Sequence, residues 1–277
     1  NKNFKFIIEE QMRSIGIDNY NMLLEPIGRN TAPAIASSLE LLDDGEVAVV
    51  ASSDHFIKNT SDFLSKIKLA SGNAKLGDIV TLGIKGDEPN VNYGYIEAEN
   101  SSNVVKSILH FHEKPSHEDA SIYIEKKYLW NAGIFIFEKM TLMNEFQCYA
   151  KDLLDIEISL VENQIEGVSV YEIDSKLEQV QPVSFDEAIM EKTELGKVIA
   201  ADIGWSDLGT WNSLKVLMQE KNGDNFFDGD VSSVNSKNNF VKSSNQRLIS
   251  LVGMNGLIVI DTDDALLISD ESNIKDL

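Results

Sequence analysis

Residues 24–36 constrain the fold more than any other part of this sequence. Pro26 and Gly28 place a sharp turn at the start of the segment, and a run of small residues suited to a helix follows it. Asn30 or Thr31 can cap that helix, and the proline that follows suits its first turn. The free backbone N–H groups at such a helix start point toward whatever occupies the turn. The segment is therefore either a ligand-facing turn or an ordinary helix start.

Helix-like and strand-like patterns alternate along most of the chain. Apolar residues at helical spacing occupy 4–15 and 63–74, and apolar runs at 47–51 and 78–84 are typical of strands, the first of them buried. This alternation predicts an α/β fold in which a mainly parallel, Rossmann-like sheet is covered on both faces. Because open α/β sheets bind ligands where strands end and helices begin, we expect the functional side chains at those positions.

Two serines mark further helix starts. Ser116 precedes Asp119 by three residues, and Ser184 precedes Glu187 by three, which is the spacing of a capping box. We therefore expect a helix to begin after each serine.

The pattern changes after about residue 222. Short β-type runs, separated by Asn and Gly, replace the long helices; they cover 231–234, 248–252, 257–260 and 265–268. The sequence thus predicts a large first domain, residues 1–221, and a small β-rich carboxy-terminal part, residues 222–277.

Charge and composition exclude several classes of partner. A net charge of −21 argues against binding to nucleic acid or to an anionic membrane. The apolar runs are far shorter than the roughly 20 residues of a membrane span.

The single Cys148 fits a reducing cytoplasm, and we interpret it as a small buried hydrophobe. The acidic balance suits either a carboxylate-bound cation that screens substrate phosphates or a surface that favours solubility. We expect a cytoplasmic protein.

Seven motifs follow one another in order over nearly the whole chain. They are LEPIGRNTAPAIA at 24–36, SDH at 53–55, NYGYI at 92–96, FHEKP at 111–115, LWNAGIF at 129–135, SFDEAIMEK at 184–192 and GWSDLGTW at 204–211. The set resembles the bacterial mannose-1-phosphate guanylyltransferases, also called GDP-mannose pyrophosphorylases. The resemblance implies a nucleotidyltransferase domain with a β-helix-like extension that serves assembly, and a homodimer is the assembly we expect. It also implies the conversion of GTP and mannose-1-phosphate to GDP-mannose and pyrophosphate with Mg²⁺.

The resemblance further implies which residues carry this activity. The catalytic residues are Asp54, Asp207 and Lys114, and Asp54 and Asp207 hold the metal. The sugar phosphate is bound by Tyr93, Gly94, Glu113, Lys114, Asn131 and Asp207. The nucleotide is bound by Glu25, Pro26, Arg29, Asn30, Thr31 and Asp54.

Residue chemistry supports parts of this assignment. Asp54 and Asp207 both lie at predicted strand ends, and carboxylate oxygens are ligands that Mg²⁺ prefers. Glu113 and Asn131 offer the carboxylate and amide that hydroxyl recognition needs, and Lys114 can meet a phosphate. Alternatives remain at each position: Asp54 can cap a turn, Glu113 and Lys114 can form a solvated pair, and Asn131 can belong to a turn.

One motif of the family has no counterpart in residues 1–277. The family carries a glycine-rich loop, G-G-x-G-x-R-L-x-P-L-S, before the first motif. Such a loop binds phosphates with backbone N–H groups and a basic side chain. We therefore expect this chain alone to be inactive. Two other functions stay open: a catalytically silent sugar-nucleotide-binding or regulatory subunit, and a related sugar-1-phosphate nucleotidyltransferase that uses another base or sugar.

Overall fold

The computed structural model describes residues 1–165, 167–208 and 225–273. The chain forms two compact units: one contains Asn1–Ser52 and Asn59–Ile203, and the other contains Ser53–Lys58 and Gly204–Leu277. The domain boundary expected between residues 221 and 222 stays a prediction, because residues 209–224 lie outside the described part of the chain.

The described residues contain five α-helices. They are α1 (Lys5–Ser14), α2 (Thr31–Ser38), α3 (Thr60–Ala74), α4 (His117–Glu125) and α5 (Lys139–Tyr149). The side chain of Asn30 caps α2 by accepting the N–H of Thr31 at 2.9 Å, and Ser116 caps α4 by accepting the N–H of Asp119 at 3.1 Å. The helix starts predicted at Asn30 and Ser116 are confirmed.

Seventeen strands lie in the same ranges. They are β1 (Tyr20–Leu24), β2 (Val47–Val50), β3 (Phe56–Ile57), β4 (Ile79–Lys85), β5 (Tyr95–Ala98), β6 (Val105–His112), β7 (Leu129–Glu138), β8 (Ile158–Ile165), β9 (Val168–Ile173), β10 (Gly196–Ala201), β11 (Trp205–Ser206), β12 (Phe226–Asp228), β13 (Val231–Val234), β14 (Phe240–Ser243), β15 (Ile249–Val252), β16 (Leu257–Asp261) and β17 (Leu266–Asp270).

The main sheet of the first unit has six strands in the order β2-β7-β4-β10-β6-β5. The α/β class is confirmed, but the prediction of mainly parallel neighbours is wrong. Among the described strands of this sheet, only β4 and β10 pair in parallel. Strand β7 pairs antiparallel with β2, β4 and β5, and β6 pairs antiparallel with β10 and β5. The alternation of helices and strands in the sequence does not reveal that β6 and β7 insert between strands of the opposite direction. A smaller sheet, β1-β9-β8, lies in the same unit.

Aromatic and aliphatic side chains from the main sheet, α2 and α5 share one core. Phe185 is fully buried in it, and its ring centroid lies 4.7 Å from that of Phe135 on β7. This packing fixes the segment that follows, a one-turn π-helix at Asp186–Met190. Burial of Phe185 therefore holds Asp186 next to the sheet.

Two expectations of burial, for the strand at 47–51 and for Cys148, are wrong, and helix α1 is exposed as well. Val49 of β2 is 43% exposed, because β2 is an edge strand that pairs only with β7 among the described strands. No residue of α1 is buried, and Phe6 on it is 77% exposed. Cys148 on α5 is also exposed. Periodicity identified these elements, but it does not identify the partner that covers them.

The β-rich part of the second unit is built from stacked strands. Parallel pairs join β12 to β14, β14 to β16, and β13 to β15, and β17 closes the stack antiparallel to β16. Asn239 is fully buried between the stacked layers, where it bonds to Asn225 and accepts the N–H of Leu257 at 2.9 Å. The predicted strands of a β-helix-like part are confirmed. Within the described ranges, no helix combines the length and apolar character needed to cross a membrane.

Candidate active site

Three of the residues assigned to sugar binding lie together in the first unit. The N–H of Asn131 on β7 donates to the carbonyl oxygen of Gly94, just before β5, at 2.8 Å. A Cβ atom at Gly94 would lie 2.8 Å from Oε2 of Glu113 and 3.4 Å from Cβ of Asn131. The absence of a side chain at Gly94 thus lets the Glu113 carboxylate and the Asn131 amide approach the same backbone.

An irregularity in β7 holds the Asn131 side chain. The β4–β7 pairing shifts register between Thr81 and Gly83, and Gly133 has a φ of 65°. Oδ1 of Asn131 accepts the Gly133 N–H at 3.1 Å. It also shares the single Thr81 hydroxyl hydrogen with the carbonyl oxygen of Ile134, at 3.1 and 2.9 Å respectively. Nδ2 of Asn131 donates to Oδ1 of Asp186 at 2.8 Å. These three bonds fix both the orientation of the amide and which end carries the oxygen.

Several carboxylates surround this amide. Burial raises the pKa of Glu113, and Glu187 and Glu191 add to that shift, whereas Lys114 opposes it. Burial also raises the pKa of Asp186 to about 7, and the nearby Glu113 and Glu191 contribute. The cluster therefore offers acceptors and one protonatable carboxyl, which are groups suited to binding hydroxyls.

Lys114 and Tyr93 lie at the border of this cluster. Nζ of Lys114 is 3.7 Å from Oε1 of Glu113, and most of the lysine side chain is exposed. The Tyr93 ring packs edge-on against Trp130, with ring centroids 5.1 Å apart. Lys114 can thus reach an anion in solvent, and Tyr93 forms part of a wall.

Asp186 is a member of this cluster that the sequence-based assignment missed. It stands inside the sixth motif, where Ser184 and Glu187 form the predicted capping box with three reciprocal bonds of 3.0–3.1 Å. The sequence analysis interpreted this motif as a helix start and assigned none of its residues to a ligand. The available signal was an acidic residue, Asp186, between Phe185 and the cap partner Glu187. The local sequence pattern does not show whether such a residue faces a binding site or solvent.

The turn of residues 24–36 uses most of its polar groups on its own unit. Arg29 donates through its guanidinium to the carbonyl oxygens of Leu177, at 3.3 Å, and Glu178. The Thr31 hydroxyl accepts the N–H of Phe185 at 2.8 Å. Together with the Asn30 cap, these bonds make much of the turn a structural support.

Glu25 and Pro26 begin the same turn, and Glu25 differs from the residues that follow. Its Oε1 is buried, and within the described part of the chain it has no hydrogen-bond partner. Burial raises the pKa of this carboxyl. Among the six residues assigned to the nucleotide, Glu25 is thus the one with a buried acceptor left over for a ligand in this part of the chain.

The two aspartates assigned to a metal lie in the second unit. Trp205 pairs with Ile57, and Ser206 pairs with Phe56, in the two-stranded ladder of β11 and β3. Asp207 follows β11 directly and Asp54 lies just before β3, so the antiparallel ladder brings both backbones to the same end. Nε1 of Trp205 donates to Nδ1 of His55 at 3.2 Å and stabilises that end. Asp54 is exposed and Asp207 is partly buried; residues 209–211 of the seventh motif lie outside the described residues.

Comparison with protein families identifies the fold of the first unit. The profile of the family described as nucleotidyl transferase matches residues 1–222. The chain belongs to the nucleotidyl transferase family. A second profile, the MannoseP isomerase/GMP-like beta-helix domain, matches residues 229–277, which agrees with the stacked strands of the β-rich part.

Individual relatives carry more specific names. This nucleotidyl transferase chain is 34% identical to a mannose-1-phosphate guanylyltransferase of Salmonella muenchen, over 100% of the chain and 60% of the relative. It is 31% identical to the alginate biosynthesis protein AlgA of Pseudomonas putida, over 99% of the chain and 58% of the relative. The chain therefore spans about three fifths of the length of these relatives. A crystal structure titled mannose-1-phosphate geranyltransferase, from Thermus thermophilus, shares the fold, with a TM-score of 0.77 and 24% identity over 97% of this chain and 78% of that one.

Nucleotidyl transferases generally use a divalent metal ion, and the chain's aspartates are compatible with one. Among the described residues, no group of three or more His, Cys, Asp or Glu side chains could hold a metal. A magnesium ion in nucleotide-binding enzymes, however, is commonly held by one or two carboxylates and substrate phosphates, and keeps several waters. The carboxylates of Asp54 and Asp207, whose backbones flank the same end of the β3–β11 ladder, are of the ligand type that a hard divalent cation prefers.

Proposed function

We propose that the protein containing this chain is a Mg²⁺-dependent mannose-1-phosphate guanylyltransferase. The observation that carries this proposal is the convergence of Gly94, Glu113 and Asn131 on one cluster of hydroxyl-binding groups. The similarity to a Salmonella protein of that name supports the choice of sugar and base. In the reaction, a phosphate oxygen of mannose-1-phosphate attacks the α-phosphorus of GTP, and the bond to the β-phosphate breaks, so that pyrophosphate leaves.

The reaction brings two anions together, so the main tasks are charge neutralisation and in-line positioning. A Mg²⁺ ion held by Asp54 and Asp207 would neutralise phosphate charge when it is bound. Lys114, exposed beside Glu113, supplies a point charge for the sugar phosphate. Glu113 and Asn131 bind sugar hydroxyls through a carboxylate and an amide N–H. Tyr93 limits the space beside them.

Nucleotide selection rests on the turn of residues 24–36. A carboxylate acceptor can bind the N1–H and N2–H donors of guanine, and the buried Oε1 of Glu25 is such an acceptor. Pro26, Arg29, Asn30 and Thr31 shape the turn that presents it, with Arg29 and Thr31 tied to neighbouring backbone.

The relatives suggest where the product is used. AlgA is named for alginate biosynthesis, and we extend this to a role for GDP-mannose in polysaccharide biosynthesis. We place the reaction in the cytoplasm, with GTP, mannose-1-phosphate and GDP-mannose as ligands, no nucleic-acid or membrane partner, and a homodimer as the working assembly.

Pyrophosphate release from the full-length protein tests this function. We expect release to require GTP, mannose-1-phosphate and Mg²⁺ together, and to fall when UTP replaces GTP or glucose-1-phosphate replaces the sugar. Equal rates with UTP and glucose-1-phosphate would favour a related nucleotidyltransferase with another specificity. Tight binding of GDP-mannose without any turnover would favour a catalytically silent binding subunit.

A further inference from the structure

Asp186 lies inside the sugar cluster, although no motif assignment gives it a role. We propose that Asp186 is a positioning residue for sugar recognition, which holds the Asn131 amide so that one of its N–H groups stays available to a substrate hydroxyl. This inference rests on the proposed function, because it concerns how the same cluster distinguishes its sugar phosphate.

The hydrogen bonds of Asn131 carry the first step. A side-chain amide has an oxygen with two lone pairs and a nitrogen with two hydrogens. Thr81 and Gly133 occupy the oxygen, and Asp186 accepts one hydrogen. The other hydrogen has no protein partner within the described residues. Three of the four bonding positions are thus filled by the protein, and the fourth is left for a ligand.

The anchoring of Asp186 carries the second step. On one side, the N–H of Phe185 donates to the Thr31 hydroxyl at 2.8 Å, and the Phe185 ring is fully buried. On the other side, the reciprocal bonds between Ser184 and Glu187 close the turn. The backbone that carries Asp186 is therefore held at both ends, and the carboxylate can act as a fixed acceptor.

The donors and acceptors around the amide carry the third step. Because the backbone N–H of Gly133 can only donate, it bonds to the oxygen of Asn131, and the nitrogen of Asn131 faces Oδ1 of Asp186. The fully buried Thr81 hydroxyl lies on the oxygen side of the amide and shares its hydrogen between Asn131 Oδ1 and the carbonyl oxygen of Ile134. Glu113 lies against Gly94 next to this amide, so a donor and an acceptor are presented side by side. Such a pair can distinguish hydroxyl positions, because a substrate that leaves either group unmet loses a buried bond.

Three variants of the full-length protein test the proposal. Asp186→Ala removes the acceptor, Asp186→Asn keeps an oxygen that can accept from Asn131, and Glu194→Gln removes an exposed carboxylate outside the cluster. For Asp186→Ala we expect the KM for mannose-1-phosphate to rise about tenfold, the size of one lost hydrogen bond. The KM for GTP should stay within about twofold. Asp186→Asn should restore the sugar KM to within about threefold of wild type, and Glu194→Gln should not change it.

Direct binding separates this inference from the function on which it rests. Calorimetry with mannose-1-phosphate measures the same loss of affinity without turnover. If the wild type binds the sugar phosphate but releases no pyrophosphate, the guanylyltransferase function fails while the inference is still tested. If Asp186→Ala does not fold, Thr81→Val is the alternative variant, because it removes the hydroxyl that contacts the amide oxygen of Asn131. This variant should lower the affinity for mannose-1-phosphate and leave the affinity for GTP unchanged. Unchanged sugar affinity in the folded variants, or equal losses for GTP and the sugar, would overturn the proposal. Failure of Asp186→Asn to restore affinity would overturn it as well.

Discussion

At the scale of single residues, the candidate site depends on a glycine that leaves room and on an amide with a fixed direction. Gly94 permits the contact between its own backbone and the carboxylate of Glu113. Asn131 is oriented by partners on three different segments, β4, β7 and the turn at Asp186. Contacts within the protein therefore fix the positions of the carboxylate and the amide that are expected to bind the sugar.

Replacing Gly94 tests the first feature. A Cβ atom there would lie 2.8 Å from the Glu113 carboxylate, which is too close for an ordinary contact. The carboxylate would therefore have to shift, and it can do so because it is the flexible end of its side chain. For Gly94→Ala we expect mannose-1-phosphate affinity to fall about fivefold to tenfold with a small loss of stability. Titration calorimetry and thermal unfolding measure the two effects. The control is Gly72→Ala in the last turn of α3, where a Cβ would meet nothing within 4 Å; it should raise stability by at most about 1 kcal/mol and leave sugar binding unchanged. Equal sugar affinity in both variants would contradict the account.

The protonation of Asp186 gives a pH-dependent stability. Its pKa is raised from 3.8 to about 7, mainly by burial. Between about pH 4 and 7 the folded state thus binds more protons than the unfolded state, so this contribution to stability is lost as the pH rises. Asp186→Asn cannot titrate. Its free energy of unfolding relative to wild type should therefore increase from pH 5 to pH 8, by about 1 to 3 kcal/mol after allowance for solvent screening. Urea unfolding at both pH values measures this; the same difference at both would refute the assignment.

At the scale of elements, local sequence signals predicted several helices and the strands at 47–51, 78–84 and in the β-rich part, because caps and periodicity are local properties. Asn30, Ser116 and the short runs of the β-rich part all mark elements near their predicted positions. The exposed Val49 and Phe6 were not predictable, since burial depends on which other segments pack against an element. The same limit applies to the site: the motif resemblance supplied Glu113 and Asn131, but Asp186 emerged only when distant segments met.

The start of α2 allows a test of one such element. Asn30 has a φ of 69°, and its side chain caps the helix. Asn30→Gly loses the cap but tolerates the positive φ, whereas Asn30→Ala loses the cap and adds backbone strain. We expect Gly to cost a few tenths of a kcal/mol to about 1 kcal/mol, and Ala about 1 to 2 kcal/mol more than Gly. Denaturant unfolding of the three proteins gives the order; an alanine variant as stable as the glycine variant would show that the turn is not strained.

At the scale of the whole molecule, each compact unit carries one part of the proposed chemistry. The first unit contains the cluster of Gly94, Glu113 and Asn131, and the second contains Asp54 and Asp207. The β-rich part has its own core, in which the rings of Phe226 and Phe240 stack 4.9 Å apart. The chain therefore combines a nucleotidyl transferase fold with a separately packed β-helix-like part.

A variant of Asp207, in the second unit, tests the assignment of Asp54 and Asp207 to a metal ion. We predict that Asp54 and Asp207 share one Mg²⁺ ion, with carboxylates within about 8 Å of each other and ligand bonds of roughly 2.1 Å. Asp207→Asn should therefore weaken Mn²⁺ binding, measured by paramagnetic resonance, at least about tenfold and reduce Mg²⁺-dependent turnover, while the unfolding temperature stays close to wild type. The control Asp202→Asn removes an exposed carboxylate outside the pair. Equal losses in both variants would show a non-specific charge effect.

The most direct test of the central claim, that this cluster binds the sugar of mannose-1-phosphate, is calorimetry on Asn131→Ala in the full-length protein. Titration with mannose-1-phosphate and, separately, with GTP gives two affinities for one change. We predict that the affinity for mannose-1-phosphate falls about tenfold, equivalent to one lost hydrogen bond of about 1 to 3 kcal/mol, while the GTP affinity stays nearly constant. A loss of GTP affinity as large as the loss for the sugar phosphate, or no loss for either, would contradict the claim.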